Sequence, residues 1–281
     1  MNDANPNWTR HLIRQQLEDL RRAGVRQLPR AQPATVARTA EVAGAQSTSA
    51  AQPAARSKPE SLVETPHNSE LDTMSSDRIE LAKQSTEPAA ARAERDEQLQ
   101  LVNEQVKQCQ RCDELCSTRT QTVFGVGNST ARLCFLGEAP GADEDRQGEP
   151  FVGRAGQLLN KIIEACTLRR EDVYILNTLK CRPPGNRNPL PEEAANCAEY
   201  FLQQIDIIQP EFICCLGAVA ASNLLDTKES IGRLRGRFHT WRGIQVLATY
   251  HPAYLLRNPS AKAEVWKDMQ FLMAAMGIEI P

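Results

Sequence analysis

Four short apolar runs alternate with amphipathic runs along the C-terminal part of the chain, and this alternation restricts the fold more than any other feature. Leu133–Leu136, Val173–Leu176, Phe212–Leu216 and Ile244–Thr249 are too short for helices and too uniformly apolar for strands with one wet face. Between them, Ala155–Cys166, Pro191–Ile207 and Ala218–Leu225 carry helical patterns, and Lys262–Met273 closes the chain in the same way. Pro191 suits a first helical position, and Glu192 and Glu193 beside it suit the positive end of a helix dipole. Strands buried on both faces and separated by helices predict an α/β fold with a central four-stranded, mainly parallel sheet.

In such sheets ligands bind beyond the carboxyl ends of the strands. Gly137, Asn177, Gly217 and His251 all fall just past those ends. The first of these loops, GEAPGADEDRQGEPFVGRAGQLL (Gly137–Leu159), is rich in glycine and acid and is interrupted by Pro140 and Pro150. It reads as a loop running from a strand into a helix, a geometry that lets a ligand approach backbone N–H groups. Phe151 stands at its mouth, flanked by Pro150 and Gly153, a setting untypical of a core aromatic.

Three segments are expected. Residues 1–30 hold a short amphipathic stretch: Trp8, Leu12, Ile13, Leu17 and Leu20 share one face, either as a frayed helix or as a docking helix for a protein partner. From Ala31 to Gln98 the chain lacks Phe, Trp and Tyr and is rich in Ala, Pro, Ser, Thr, Gln and Glu, so it reads as a disordered linker. The folded domain is expected over 99–281. The absence of a long apolar run or of a secretory leader predicts a cytoplasmic protein without a membrane span. A net charge of −2 does not by itself point to nucleic acid, so any such surface must be local.

The chain has nine cysteines, an odd number that suits metal ligation and buried thiols better than a disulfide framework. Cys109 and Cys112 form a C-x2-C pair in a polar stretch. Cys181 opens CRPPGNRNPLPEEAANC and Cys197 closes it, among prolines and charges. These four thiolates suit one metal centre, and their spacing fits zinc or an iron–sulfur cluster equally well. Cys116 is a less attractive competitor. Cys134, Cys166, Cys214 and Cys215 lie in apolar runs and read as core.

Taken in order, the C-x2-C pair, GEAPGADED…GEPFVGRAG, VYILNTLKCRPPGNRNP, Cys197 and HPAYLLRNP resemble the family 4 uracil-DNA glycosylases, iron–sulfur members of the uracil-DNA glycosylase superfamily. The resemblance covers roughly Val102 to Met273. It implies a three-layer α/β/α fold, a 4Fe-4S cluster on Cys109, Cys112, Cys181 and Cys197, and hydrolysis of the N-glycosidic bond of deoxyuridine in DNA. The base must then leave the stack, and Asn177 suits its recognition, since an amide accepts from uracil N3–H and donates to O4 whereas cytosine presents the opposite pattern. Phe151 is expected to stack on the flipped ring. His251 is expected to donate to O2 and stabilise the charge left on the base. Leu255, Leu256 and Arg257 are expected on the loop that enters the minor groove.

The resemblance also places Glu138 and Ala139 against the base. Family 1 relatives carry a water-positioning Asp where this chain has Ala139, and a thymine-excluding aromatic where it has Gly141. Glu138 or Glu144 is the candidate to orient water, with a largely dissociative reaction favoured, and Glu144 or the loop backbone is the candidate to exclude the thymine methyl. Lys228, Arg233, Arg235, Arg237 and Arg242 form a local basic stretch suited to phosphates, with Arg182 and Arg187 as a second. His239 has no assigned role. The resulting expectation is a monomeric, monofunctional glycosylase acting on uracil in single- or double-stranded DNA. The alternatives are a relative specific for another deaminated base, or a non-catalytic iron–sulfur protein that binds nucleic acid.

Overall fold

The computed structural model of the chain describes residues 89–280. The expected docking helix and the linker up to residue 88 lie outside the described residues. The described part begins with helix α1 (Ala89–Lys107), ten residues before the expected boundary at Leu99. Leu99, Val102 and Val106 on one side of α1 are buried, and Arg95 Nη1 donates to Ile208 O at 3.2 Å. Burying such apolar side chains contributes about 1.5–3 kcal/mol each, enough to hold an otherwise polar helix against the domain.

Helix α2 (Asp113–Thr118) follows, then strands β1 (Val126–Gly127) and β2 (Leu133–Gly137), helices α3 (Ala142–Gln147) and α4 (Arg154–Ala165), and strand β3 (Tyr174–Asn177). The second half runs α5 (Pro191–Ile208), β4 (Phe212–Leu216), α6 (Ala218–Leu225), α7 (Ile231–Leu234), β5 (Phe238–Trp241), β6 (Ile244–Thr249), α8 (Pro252–Arg257) and α9 (Lys262–Met276). One sheet contains six strands in the order β1-β3-β2-β4-β6-β5. Its four central strands are parallel, as expected. The expectation of four strands in all is corrected to six, because antiparallel edges flank the parallel centre.

Both edges were hidden for local reasons. Strand β1 is two residues long. Strand β5, FHTW, mixes polar and aromatic residues and is joined to β6 by Arg242 and Gly243, both at positive φ. Two residues at positive φ are the turn that suits the twist of a hairpin, and glycine at the second place was its only clear signal.

Side chains of β2 alternate between two buried layers. Cys134 and Leu136 join Val106, Leu176, Phe201 and Ile205 on one face. Leu133 and Phe135 join Leu159, Ile163, Met269 and Leu272 on the other. Cys134, Cys166, Cys214 and Cys215 are all buried, as expected. No helix among the described residues is long and apolar enough to cross a membrane.

Candidate functional site

The register of the sheet sets the site: Gly137 at the end of β2 pairs with Asn177 at the end of β3. A side chain at 137 has no room, since a Cβ there would collide with Asn177 Oδ1 and lie 2.6 Å from Phe151 Cζ. The loop beyond Gly137 is not the open loop expected, for it contains α3. Glu144, in the first turn of α3, gathers the loop into a ring. Its Oε2 accepts from Gly141 N at 3.1 Å, and its Oε1 accepts from Val152 N and Gly153 N, both at 2.9 Å. Asp145 is buried and accepts from Thr120 N at 3.0 Å.

The residue this ring constrains is Phe151. Its φ of 54° lies in the left-handed region, which costs a non-glycine residue about 1 kcal/mol or more. Contrary to the expected setting, Phe151 is buried, at 5% exposure, and packs on the layer of Leu159 and Leu255. Its ring still faces the cavity beyond the sheet and lies 5.6 Å from the His251 ring, centroid to centroid.

Asn177 is 2% exposed, and its Oδ1 has no hydrogen-bond partner. A buried acceptor left so costs about 1–3 kcal/mol, which a ligand N–H would recover. The main chain after it is tied to the neighbouring loop: Thr178 N donates to Gly137 O at 2.9 Å, while Leu179 N and Thr178 Oγ1 donate to Glu138 O at 3.0 and 2.7 Å. Glu138 lines the same cavity, and burial pushes its carboxyl above the ordinary carboxylate range.

His251 caps α8. Its Nδ1 accepts from Ala253 N at 3.1 Å, which leaves the proton on Nε2 in the neutral ring. Burial and then Arg257 hold its pKa down to about 4, with Glu144 opposing weakly. The imidazole is therefore neutral at pH 7.

Glu138, Gly141, Phe151, Asn177, His251 and Arg257 line one cavity of about 480 Å³, which Ala139 also borders. Sequence reasoning missed that Asn186, Arg187 and Asn188 of the cysteine loop form part of its wall. A slightly larger groove, about 570 Å³, lies between α1 and α5 and contains none of these groups.

The expected DNA-contacting residues divide. Leu255 is 1% exposed and packs in the core, so its expected place on a DNA-entering face is corrected. Leu256 and Tyr254 are 39% and 38% exposed. Arg235 is also corrected: its guanidinium binds Asp268 at 3.0 Å and Glu264 at 2.8 Å and lies over the Tyr250 ring, so it serves the fold. Arg237 pairs with Glu229 at 3.4 Å, Arg233 is exposed, and Arg187 is clamped by Glu193 and Glu114. His239 Nε2 meets Leu234 O, a structural contact.

Cys109, Cys112, Cys181 and Cys197 line one small cavity, with Cys116 at its side. Cys181 and Cys197 are buried despite their polar neighbours in sequence. Three of the four sulfurs meet a protein donor: Asn196 Nδ2 at Cys112 (3.6 Å), Arg119 Nη1 at Cys181 (2.9 Å) and Lys180 N at Cys197 (3.3 Å). Burial pushes the Cys197 thiol up to about 12 and the Lys180 ammonium opposes it. Cys116 Sγ is turned to Cys109 O. Such donors are what metal-bound thiolates need to hold negative charge away from water. Among the described residues, no three His, Cys, Asp or Glu side chains converge as they would on a single metal ion.

Comparison with known proteins gives a consistent result. The sequence profile of the Uracil DNA glycosylase superfamily matches residues 124–270. The chain is 50% identical over 168 residues to the type-4 uracil-DNA glycosylase of Thermotoga maritima, covering 59% of this chain and 87% of that protein. It is 44% identical over 193 residues to the type-4 uracil-DNA glycosylase of Archaeoglobus fulgidus, covering 66% and 96%. The corresponding protein of Saccharolobus solfataricus is 43% identical over 187 residues.

Proposed function

Because the chain belongs to the uracil-DNA glycosylase superfamily, in its type-4 branch, and is a DNA-repair glycosylase, we propose that the cavity beyond β2, β3 and β6 is its uracil pocket. The observation that carries this reading is the buried, unpartnered Oδ1 of Asn177 facing that cavity. Uracil N3–H donates to it, and the amide nitrogen donates to O4. Cytosine offers an acceptor at N3 and leaves Oδ1 unsatisfied, a penalty of about 1–3 kcal/mol.

Flipping the nucleotide costs a few kcal/mol. Phe151 offsets part of that by stacking, worth about 1–3 kcal/mol and blind to base identity. Discrimination therefore falls to Asn177 and to the backbone of Glu138, Ala139 and Gly141. The wall at Gly141 is backed by the fixed Glu144 carboxylate, 2.6 Å from where a Cβ at 141 would stand, which leaves little slack for a thymine methyl.

As the glycosidic bond breaks, negative charge gathers on the base. His251, neutral and protonated at Nε2, donates to O2 and strengthens that bond as the charge develops, an effect worth roughly 3–4 kcal/mol for one buried donor. The Glu144 oxygens are held by three backbone donors. Glu138 is therefore the carboxylate available to orient water, while leaving-group stabilisation dominates. No lysine lines the cavity among the described residues, which supports a monofunctional hydrolysis without a Schiff base. Leu256 and Arg257, with Arg233 and Arg237, form the DNA-facing set.

Cys109, Cys112, Cys181 and Cys197 would hold the 4Fe-4S cluster. Four thiolates suit zinc or an iron–sulfur cluster alike, and the resemblance to the iron–sulfur glycosylases favours the cluster. When bound there, the cluster would supply structural bracing, through Cys181 and Cys197, to the loop whose Asn186, Arg187 and Asn188 line the pocket.

The test is excision. On an oligonucleotide with one uracil, the purified protein leaves an alkali-labile abasic site, and hypoxanthine and thymine mispairs give little product. No uracil product from iron-loaded protein sinks the assignment of the cavity. Visible absorbance together with iron and sulfide content separates the cluster from zinc.

A further inference from the structure

Lys180 is not used by the reading above, and its placement is uncommon for a lysine. It is 1% exposed and lies between the cysteine centre and the base pocket. Its main-chain N–H donates to Cys197 Sγ at 3.3 Å. Its Nζ donates to Asn177 O at 2.9 Å and to Phe124 O at 3.0 Å. Both acceptors of the ammonium are neutral carbonyls, and an ammonium buried without an opposing charge is costly. One residue thus touches the centre with its backbone and the strand bearing Asn177 with its side chain.

The same short segment carries the rest of the pocket floor. Thr178 and Leu179 hold Glu138 O and Gly137 O, so whatever fixes residues 177–181 fixes both walls against which a base would rest.

We propose that Lys180 is a positioning residue that couples the cysteine centre to base recognition: its main-chain N–H is held at the centre by Cys197, and its side chain holds the Asn177 main chain so that the amide meets the uracil edge. This rests on Asn177 reading the base. A lysine that only filled the core would affect stability and leave base recognition alone.

The experiment uses the full chain with its cluster. Lys180→Met, Lys180→Gln, Asn177→Ala and the double variant Lys180→Met/Asn177→Ala are compared by iron content, visible absorbance, single-turnover uracil excision, inhibition by free uracil and affinity for a thymine-only duplex. Lys180→Met is expected to keep its iron and its affinity for the thymine duplex. It loses about 10–100-fold in excision, the usual cost of removing a residue that orients a functional group, and is inhibited more weakly by uracil. Lys180→Gln, which keeps an N–H donor for Asn177 O, recovers part of the loss. In the Asn177→Ala background Lys180→Met adds less than about twofold, because the two act as one unit.

Wild-type excision by an iron-loaded Lys180 variant overturns the proposal. So do losses that multiply in the double variant, iron lost in step with activity, or failure of both Lys180 variants to fold, each of which leaves the lysine a role in the fold or in cluster retention alone. Wild-type excision by Asn177→Ala instead removes the base-recognition reading itself, so the two failures are distinct.

Discussion

The rings of Phe151 and His251 lie 5.6 Å apart and inclined by 31°. One comes from the loop after β2 and the other from the loop after β6, a hundred residues later. Their proximity puts both rings on neighbouring walls of one cavity, so under the proposed function a single flipped base would meet both.

His251 sets a pH dependence. Its pKa is held down to about 4 from an ordinary value near 6.5, so in the folded protein it stays neutral down to that pH. Uracil excision is expected to show no loss from this group between pH 8 and about 5. Stability behaves differently: the unfolded chain takes up the proton first, so stability present above about pH 6.5 is lost as pH falls toward 4, by on the order of 3 kcal/mol. Urea unfolding across that window measures it, and His251→Ala removes that slope while slowing excision by about 10²–10³-fold. An excision rate that falls with a pKa near 6.5 contradicts the neutral imidazole.

Glu138 and Glu144 are expected to separate cleanly. Glu144→Gln keeps one acceptor oxygen for three backbone donors and lowers stability by about 1–3 kcal/mol. Glu138→Gln leaves the melting temperature near wild type and lowers kcat. Thermal unfolding beside single-turnover kinetics checks both, and a Glu144→Gln protein that is stable but slow would reverse the assignment.

The two leucines of α8 differ in the same way. Leu255→Ala opens a cavity in the core and costs about 2–5 kcal/mol. Leu256→Ala changes stability by less than about 0.5 kcal/mol and slows excision more on double-stranded than on single-stranded DNA, because only a duplex leaves a gap to fill. Equal effects on both substrates would remove Leu256 from the DNA face.

Gly137→Ala tests the pocket floor. A methyl group at 137 must push aside Asn177 or Phe151. A shift of about 1 Å in either costs on the order of 10²-fold in excision. Fluorescence titration with a thymine-only duplex is expected to give wild-type affinity, since no DNA-facing residue moves. Wild-type excision by Gly137→Ala would show that the floor yields without cost.

Much of this was readable in the chain. Leu133–Leu136 and its three counterparts have the unbroken apolar character that only doubly buried strands require, so the parallel centre of the sheet and the loops at its ends followed. The cysteine spacing likewise pointed to four thiols that the fold brings to one small cavity, with Cys116 beside them. The edges did not follow. Strand β5 pairs through its backbone, and its side chains sit half exposed, so its residues carry no apolar signature.

What the sequence determined by itself was periodicity and order: which runs are the central strands, which loops converge, and which side chains lie on those loops. What only the tertiary structure decided was the direction in which those side chains are spent. Leu255 and Leu256 are chemically identical neighbours, and packing against α4 and α9 buries one and exposes the other. Glu144 reads as a candidate to orient water until Val152 and Gly153 are brought to it. Lys180 carries no signal of its own in the sequence, yet Asn177 O and Cys197 Sγ close around it in the fold. In each case the partner lies on another segment or another turn, and hydrogen bonds and close packing depend on distances that no local pattern of residues contains.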